Sequence, residues 1–269
     1  MRDDVQTLAD AVRARHEPGV AAILAYGSCL RDNTSEGLID LYVLTRDYKS
    51  VSRNVFSRWL CRLVPPNVYY AETQGLRSKY AVLPLSRFAK LARAQNPYIW
   101  ARFGQPCRVV YAADAAAVER ALAQCAETMW AQAAALSHTG DTALLALTRL
   151  FAATYATELR PESSARASVI VNADAAFYEA SAAKHLGAGW RSANTTQPNW
   201  RTRRIIGKAL SVARLVKAGF TFQGGADYMA WKIQRHSGVE VKITDWQRKH
   251  PVLGALSLLP QLLKKGAVR

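Results

Sequence analysis

Apolar positions along this chain switch between helical spacing and short continuous runs, and each switch predicts an element. Val5, Leu8, Ala9 and Val12 recur at helical spacing over 3–16, with Arg13 and Arg15 in the last turn, so the chain is expected to open on a helix. Residues 19–25 and 38–45 are short and almost continuously apolar, as buried strands are, with a turn of helix over 28–31 between them. Helical spacing returns over 51–64, where Phe56, Leu60 and Leu63 share a face and Pro65-Pro66 ends the element. Strands are expected at 68–72, 80–85 and 108–111, with a helix over 85–94. After Ala112 the texture is helical. The Ala-rich stretch 115–135 lacks Gly and Pro, and helices over 142–157 and 173–184 follow. Residues 187–199, with Gly, Ser, Asn, Thr and Pro, read as a linker, followed by a basic helix at 201–217 and a short helix at 228–236. The expected fold is α+β. A first domain over 1–113 holds a small mixed sheet, a helical domain covers 114–190, and a basic C-terminal region covers 191–269.

Composition bounds this picture and charge sharpens it. A chain of 269 residues that is 50% hydrophobic buries a sizeable core. Cys29, Cys61, Cys107 and Cys125 are far apart and form no CxxC pair, so neither a metal cluster nor a disulfide framework is expected, and a reducing cytosol fits. Residues 191–269 hold 15 Lys/Arg against 3 Asp/Glu, a net of +12 out of the chain's +16. Such asymmetry draws a polyanion, either an anionic membrane surface or a nucleic acid, of which nucleic acid is the less favoured. Within 201–217, Ile205, Ile206, Ala209, Leu210, Val212, Ala213 and Val216 gather on one face, while Arg201, Arg203, Arg204, Lys208, Arg214 and Lys217 crowd the other. That pattern fits a lipid-binding interfacial helix, and equally a docked helix with a solvated face. The apolar stretch 251–263, ended by Lys264-Lys265, is too short to span a bilayer but long enough to lie in its interface. The first residues are acidic where a signal peptide is basic, and no run is long enough to span a membrane, so a peripheral protein on the cytoplasmic face is expected.

The candidate chemistry sits where the first two strands meet. Gly19-Val-Ala-Ala-Ile-Leu-Ala-Tyr-Gly-Ser28 is followed by Leu38-Ile-Asp-Leu-Tyr-Val-Leu-Thr45: an apolar run ending in Gly-Ser, a loop, then an apolar run with one Asp. This is the skeleton of a polymerase-type nucleotidyltransferase site. Tyr26, Gly27 and Ser28 would meet a triphosphate, because Gly27 has no Cβ to hold it off and Ser28 opens a helix. Asp40 would be catalytic and hold Mg²⁺. Polymerase-type sites carry a second carboxylate two residues on, and here that residue is Tyr42. Asp141, in Thr139-Gly-Asp141, is the other acidic candidate, with a helix-capping role equally open to it. Lys79, Arg102 and Lys184 are candidates for triphosphate contacts, and His138 stands beside the Thr-Gly-Asp turn.

These motifs together resemble the mitochondrial-type phosphatidate cytidylyltransferases, the peripheral CDP-diacylglycerol synthases, which also carry one Asp in a Leu-Asp-Phe-type strand after Tyr-Gly-Ser. Ser78-Lys-Tyr-Ala-Val-Leu83 looks like that family's Lys-Tyr-Gly-Val strand. Pro97-Tyr-Ile-Trp-Ala-Arg-Phe-Gly-Gln-Pro-Cys-Arg-Val-Val110 looks like its Leu-Tyr-x-x-Gly-Arg-Leu-x-Lys-Pro-Val segment. Leu136-Ser-His-Thr-Gly-Asp141 is similar to its Leu-Ser-Tyr-Ser/Thr-Gly-Asp motif. The sequence departs from the family at Gln105, where Lys is usual, and at Thr142-Ala143, where Phe-Arg is usual. The resemblance implies that CTP and phosphatidate yield CDP-diacylglycerol and pyrophosphate, with Mg²⁺ as cofactor. The rival readings are a nucleotidyltransferase acting on another phosphate or hydroxyl acceptor, and a non-catalytic module of the same fold that binds RNA or membrane. Whether the chain forms a homo-oligomer is open.

Overall fold

The computed structural model describes residues 2–31, 38–158, 165–187, 190, 199–221, 225–227, 230, 234 and 243–249. The apolar tail at 251–263, most of the linker at 187–199 and most of the helix at 228–236 lie outside the described residues.

Strands β1 (Val20–Tyr26) and β2 (Leu38–Thr45) are buried along nearly their whole length. Continuous apolar strands of this kind need neighbours on both edges and cover on both faces. The sheet supplies the edges, in the order β3–β4–β2–β1–β5, with β3 at Asn67–Thr73, β4 at Leu76–Pro84 and β5 at Arg108–Ala112. The β2–β4 pair is parallel and the other three are antiparallel, so the sheet is mixed, as expected. Gln74 and Gly75, both at positive φ (51° and 75°), close the β3–β4 hairpin in the two-residue form that matches strand twist.

Helices supply the cover. Helix α1 (Arg2–His16) buries Val5, Leu8, Ala9 and Val12 against one face. On the other face, Tyr42 of β2 packs with Phe88 of α4 (Leu85–Leu91) and Phe103 of α5 (Trp100–Phe103), at ring-centroid distances of 6.1 and 4.9 Å. Helix α6 (Ala115–Leu136) lies against α5 and begins a helical layer. That layer continues through α7 (Ala143–Tyr155), α8 (Ala165–Ala173) and α9 (Ala175–His185). One cluster of buried side chains runs from Val5 to Ala182.

Two elements turn against the pattern their sequences suggest. The helix expected over 51–64 is α3 (Val55–Leu63), preceded by the 3₁₀ turn Lys49–Val51. Its apolar residues Val55, Phe56, Trp59 and Leu63 face outward at 53–69% exposure, while Ser57 and Cys61 are buried. Polar pairing selects the inward face. The Asn67 amide donates to the Ser57 carbonyl and hydroxyl at 3.2 and 2.9 Å, and Cys61 donates to the Val82 carbonyl.

Helix α10 (Trp200–Thr221) contains the basic helix expected at 201–217, in an orientation opposite to a helix docked by its apolar stripe. Ile205, Ile206, Val212, Leu215, Val216 and Phe220 are 48–73% exposed, and the residues buried are Gly207, Lys217 and Thr221. The Lys217 ammonium donates to the carbonyls of Val64 and Pro66 and to Asn67 Oδ1. Arg214 Nε donates to the Pro65 carbonyl at 3.0 Å, and Arg203 donates to Gln132 Oε1 at 2.6 Å. A Cβ on Gly207 would come within 2.5 Å of the Thr157 carbonyl oxygen, so this glycine permits close approach to the chain after α7. Lys217, Arg214 and Arg203, expected to face lipid, instead fasten the helix to the protein. Arg201, Arg204 and Lys208 are exposed.

Candidate functional site

Strand β1 ends at Tyr26, and the chain turns at Gly27 with φ of +93°, a backbone region that glycine enters freely. A Cβ there would lie 2.9 Å from Asp40 Oδ2, so the same glycine makes room for the carboxylate of the adjoining strand. Tyr26 and Asp40 are register partners, and Ser28 opens α2 (Ser28–Arg31). A helix of one turn carries little dipole, so Ser28 offers its hydroxyl and N–H rather than the field of a long helix. Tyr26, Gly27, Ser28 and Asp40 line one cavity of about 240 Å³, together with Arg102 of α5. Five residues singled out in the sequence thus converge on one place.

The opposite wall was not legible in advance. It comprises Thr154 and Tyr155 from the end of α7, Glu158 just beyond it, and Arg166 of α8. Arg102 links the walls. Its Nη1 donates to the Tyr98 carbonyl at 3.1 Å, and its Nη2 lies 3.7 Å from Glu158 Oε1. Its guanidinium also lies 4.4 Å from the centre of the Tyr98 ring, and that ring has the Arg214 guanidinium at 3.7 Å. Helix α10 therefore backs the cavity from behind, through Arg214 on Tyr98 and Gly207 beside Thr157.

Tyr42 stands where a second carboxylate would be expected from the sequence pattern. Two residues from Asp40 along β2, it leaves the sheet on the same face but is fully buried among Tyr26, Phe88 and Phe103. Its hydroxyl has no hydrogen-bond partner, and burial pushes its pKa well above that of an ordinary tyrosine, so it stays a neutral phenol. It fills core and ligates nothing. The other carboxylate on the cavity is that of Glu158. No group of three or more His, Cys, Asp or Glu comes together among the described residues. With Asp40 on one wall and Glu158, paired with Arg102, on the other, the cavity could hold a magnesium ion that arrives on substrate phosphates and keeps several waters, rather than one in a protein-built cage.

The remaining candidates lie elsewhere. Lys79 stands across from Asp40 in the parallel β2–β4 register and shares its face, but does not line the cavity. Asp141 is also outside it. The carboxylate accepts from the His138 backbone N–H at 2.7 Å and pairs with Arg149 at 3.1 Å. That backbone hydrogen bond, with Arg149, holds its pKa below the usual carboxylate value. Thr142, rather than Asp141, caps α7 by accepting from the Leu145 N–H at 3.2 Å. Asp141 therefore closes the Ser137–Thr142 turn, outside the cavity that holds Asp40. Lys184 is exposed near the end of α9. Gln105, which departs from the resembled family, does line the cavity and donates to the Ala101 carbonyl at 2.7 Å.

No family model matches the chain. No curated protein matches it either. Among solved structures, it is similar to a nucleotidyltransferase-like protein from Exiguobacterium sibiricum, at 14% identity, with 98% of this chain and 91% of that one covered. The TM-score is 0.28, so the two backbones do not superpose closely.

Proposed function

We propose that this protein is a nucleotidyltransferase that transfers a cytidylyl group from CTP to phosphatidate, giving CDP-diacylglycerol and pyrophosphate. The observation that carries this reading is the convergence of Gly27, Ser28, Asp40 and Arg102 on one cavity, with Gly27 shaped around the Asp40 carboxylate. Asp40 would hold Mg²⁺, which when bound neutralises charge on the triphosphate. The turn at Gly27 lets phosphate oxygens reach the backbone, and Arg102 and Arg166 offer planar, charge-assisted donors to those further out. A phosphate oxygen of the acceptor attacks the α-phosphorus, and the bond to the departing pyrophosphate breaks. Because that oxygen is already anionic, no strong general base is required, which suits a site where Tyr42 replaces the second carboxylate. Positioning and charge stabilisation then supply most of the acceleration. The outward face of α10, with Ile205, Ile206, Leu215 and Phe220 exposed near Arg201, Arg204 and Lys208, supports attachment to an anionic lipid surface. No described helix is long and apolar enough to cross a membrane.

The test is incubation with α-labelled CTP, Mg²⁺ and phosphatidate in detergent. Label should move into the organic phase in step with pyrophosphate release. Label reaching RNA or a soluble hydroxyl compound instead would favour the other-acceptor reading. Binding of RNA or lipid without turnover would favour the non-catalytic one, for which the buried Tyr42 is the structural argument.

A further inference from the structure

A second cavity, of about 620 Å³, lies between the end of α1, the segment 49–54 that leads to α3, and the β3–β4 edge of the sheet. It is separate from the first. Tyr80, in its wall, pairs with Leu41 and so leaves the sheet opposite Asp40 and Tyr42. The two cavities share no lining residue.

The wall is built from fixed groups. The His16 ring lies 5.8 Å from both the Tyr69 and Tyr80 rings, which are 5.4 Å from each other. His16 Nδ1 faces the Ser50 carbonyl at 3.1 Å, and since a carbonyl only accepts, Nδ1 carries the proton. Nε2 is then a lone pair, and it has no hydrogen-bond partner. Arg15 Nη1 donates to the Tyr70 carbonyl at 3.3 Å, which holds that guanidinium at the rim. Lys49 and Arg53 line the same cavity, and neither forms an ion pair among the described residues.

Two carboxylates lie close by, Glu17 in the lining itself and Asp47 beside Lys49. Glu17 pairs with Arg13 at 2.6 Å. Asp47 accepts from the Ser50 N–H and hydroxyl at 2.9 and 2.8 Å. Arg15, Lys49 and Arg53 therefore meet in a concavity of ligand size whose cations outnumber the carboxylates beside them, Glu17 being paired with Arg13 and Asp47 acting on Lys49.

We propose that this cavity binds a small phosphate ester, such as a sugar phosphate or a nucleoside monophosphate. Arg15 and Arg53 supply forked donors to the phosphate oxygens, and Lys49 adds a point charge. A cavity of this volume leaves inorganic phosphate alone poorly held, so the ester's carbon skeleton belongs to the recognition.

The experiment follows the His16 ring signals by ¹⁵N-correlated NMR while ribose 5-phosphate, AMP or unphosphorylated ribose is added. Saturable shifts are expected with ribose 5-phosphate and AMP and not with ribose. The shifts should persist in Asp40→Asn, so a failure of the transferase reading leaves this one standing. In Lys49→Glu combined with Arg53→Glu, affinity should fall by at least roughly tenfold at an unchanged melting temperature. A larger response to AMP identifies a nucleotide as the ligand, and equal responses identify the sugar phosphate unit. His16 signals unmoved at millimolar ester, equal shifts with ribose, or unaltered affinity in the folded double variant would each overturn the proposal.

Discussion

Asp40 and Gly27 have to be understood as a pair. The carboxylate occupies the space that a side chain at position 27 would take, 2.9 Å from the missing Cβ. Asp40→Asn keeps that shape and removes the charge. Turnover should therefore fall by roughly a hundredfold or more while the melting temperature holds, as expected when one preorganised electrostatic group is lost. Steady-state rates beside a thermal melt will check this. Gly27→Ala should behave differently. It places an ordinary residue at φ of +93° and presses on Asp40, so both stability and turnover should drop, with about 1–2 kcal/mol lost to the backbone alone. A variant that melts like wild type but turns over slowly would mean that the glycine serves substrate approach only. At this scale the sequence was legible where partners are near in the chain: Tyr26, Gly27, Ser28 and Asp40 lie within one strand–turn–strand unit. Glu158 and Arg166 were not legible, since no motif marks them and only the packing of α7 and α8 carries them to the cavity.

Among the elements, α10 carries the most consequence, because its polar residues bind the body and its apolar ones face out. The periodicity of 201–217 revealed a two-sided helix correctly, yet could not tell which side docks. Hydrogen bonding decided it: the three donors of the Lys217 ammonium find three oxygens at the end of α3 and the start of β3. The same cause turned Phe56 and Leu63 outward in α3, where Asn67 claims the inner face. Arg214→Ala should loosen Tyr98 and with it Arg102, raising the KM for CTP more than it lowers kcat, and a kinetic split of the two constants will show it. Burial lowers the Lys217 pKa from its ordinary 10.5 to about 8. Between those values the unfolded chain binds a proton there that the folded one does not, so stability rises with pH through that window. Lys217→Met removes this contribution. Denaturant midpoints from pH 7 to 10.5 should climb more in wild type than in the variant, and parallel curves would contradict the burial.

For the molecule as a whole, the two-part texture of the sequence is real in outline: a mixed five-stranded sheet, then helices. The packing between them was less visible. Residues far apart in the chain, Val5 to Ala182, share one cluster, and α10 returns from the C-terminal region to brace the first cavity. The basic excess also separates into two uses. Arg203, Arg214 and Lys217 are bound internally, while Arg201, Arg204 and Lys208 are exposed beside the outward apolar face. Liposome pelleting should therefore require anionic lipid and weaken, without vanishing, as salt rises. Leu215→Glu combined with Phe220→Glu should lower pelleting severalfold and leave activity on a short-chain, water-soluble phosphatidate intact. Pelleting unaffected by that pair would remove α10 from the membrane account. The central claim is that the Gly27–Asp40 cavity holds a metal-bound nucleotide, and its most direct test is a crystal structure with Mn²⁺ and a non-hydrolysable CTP analogue. The account predicts an anomalous peak at bonding distance from the Asp40 carboxylate, with the triphosphate running from the Gly27 turn toward Arg102. A nucleotide bound elsewhere, or a metal that ignores Asp40, would contradict it.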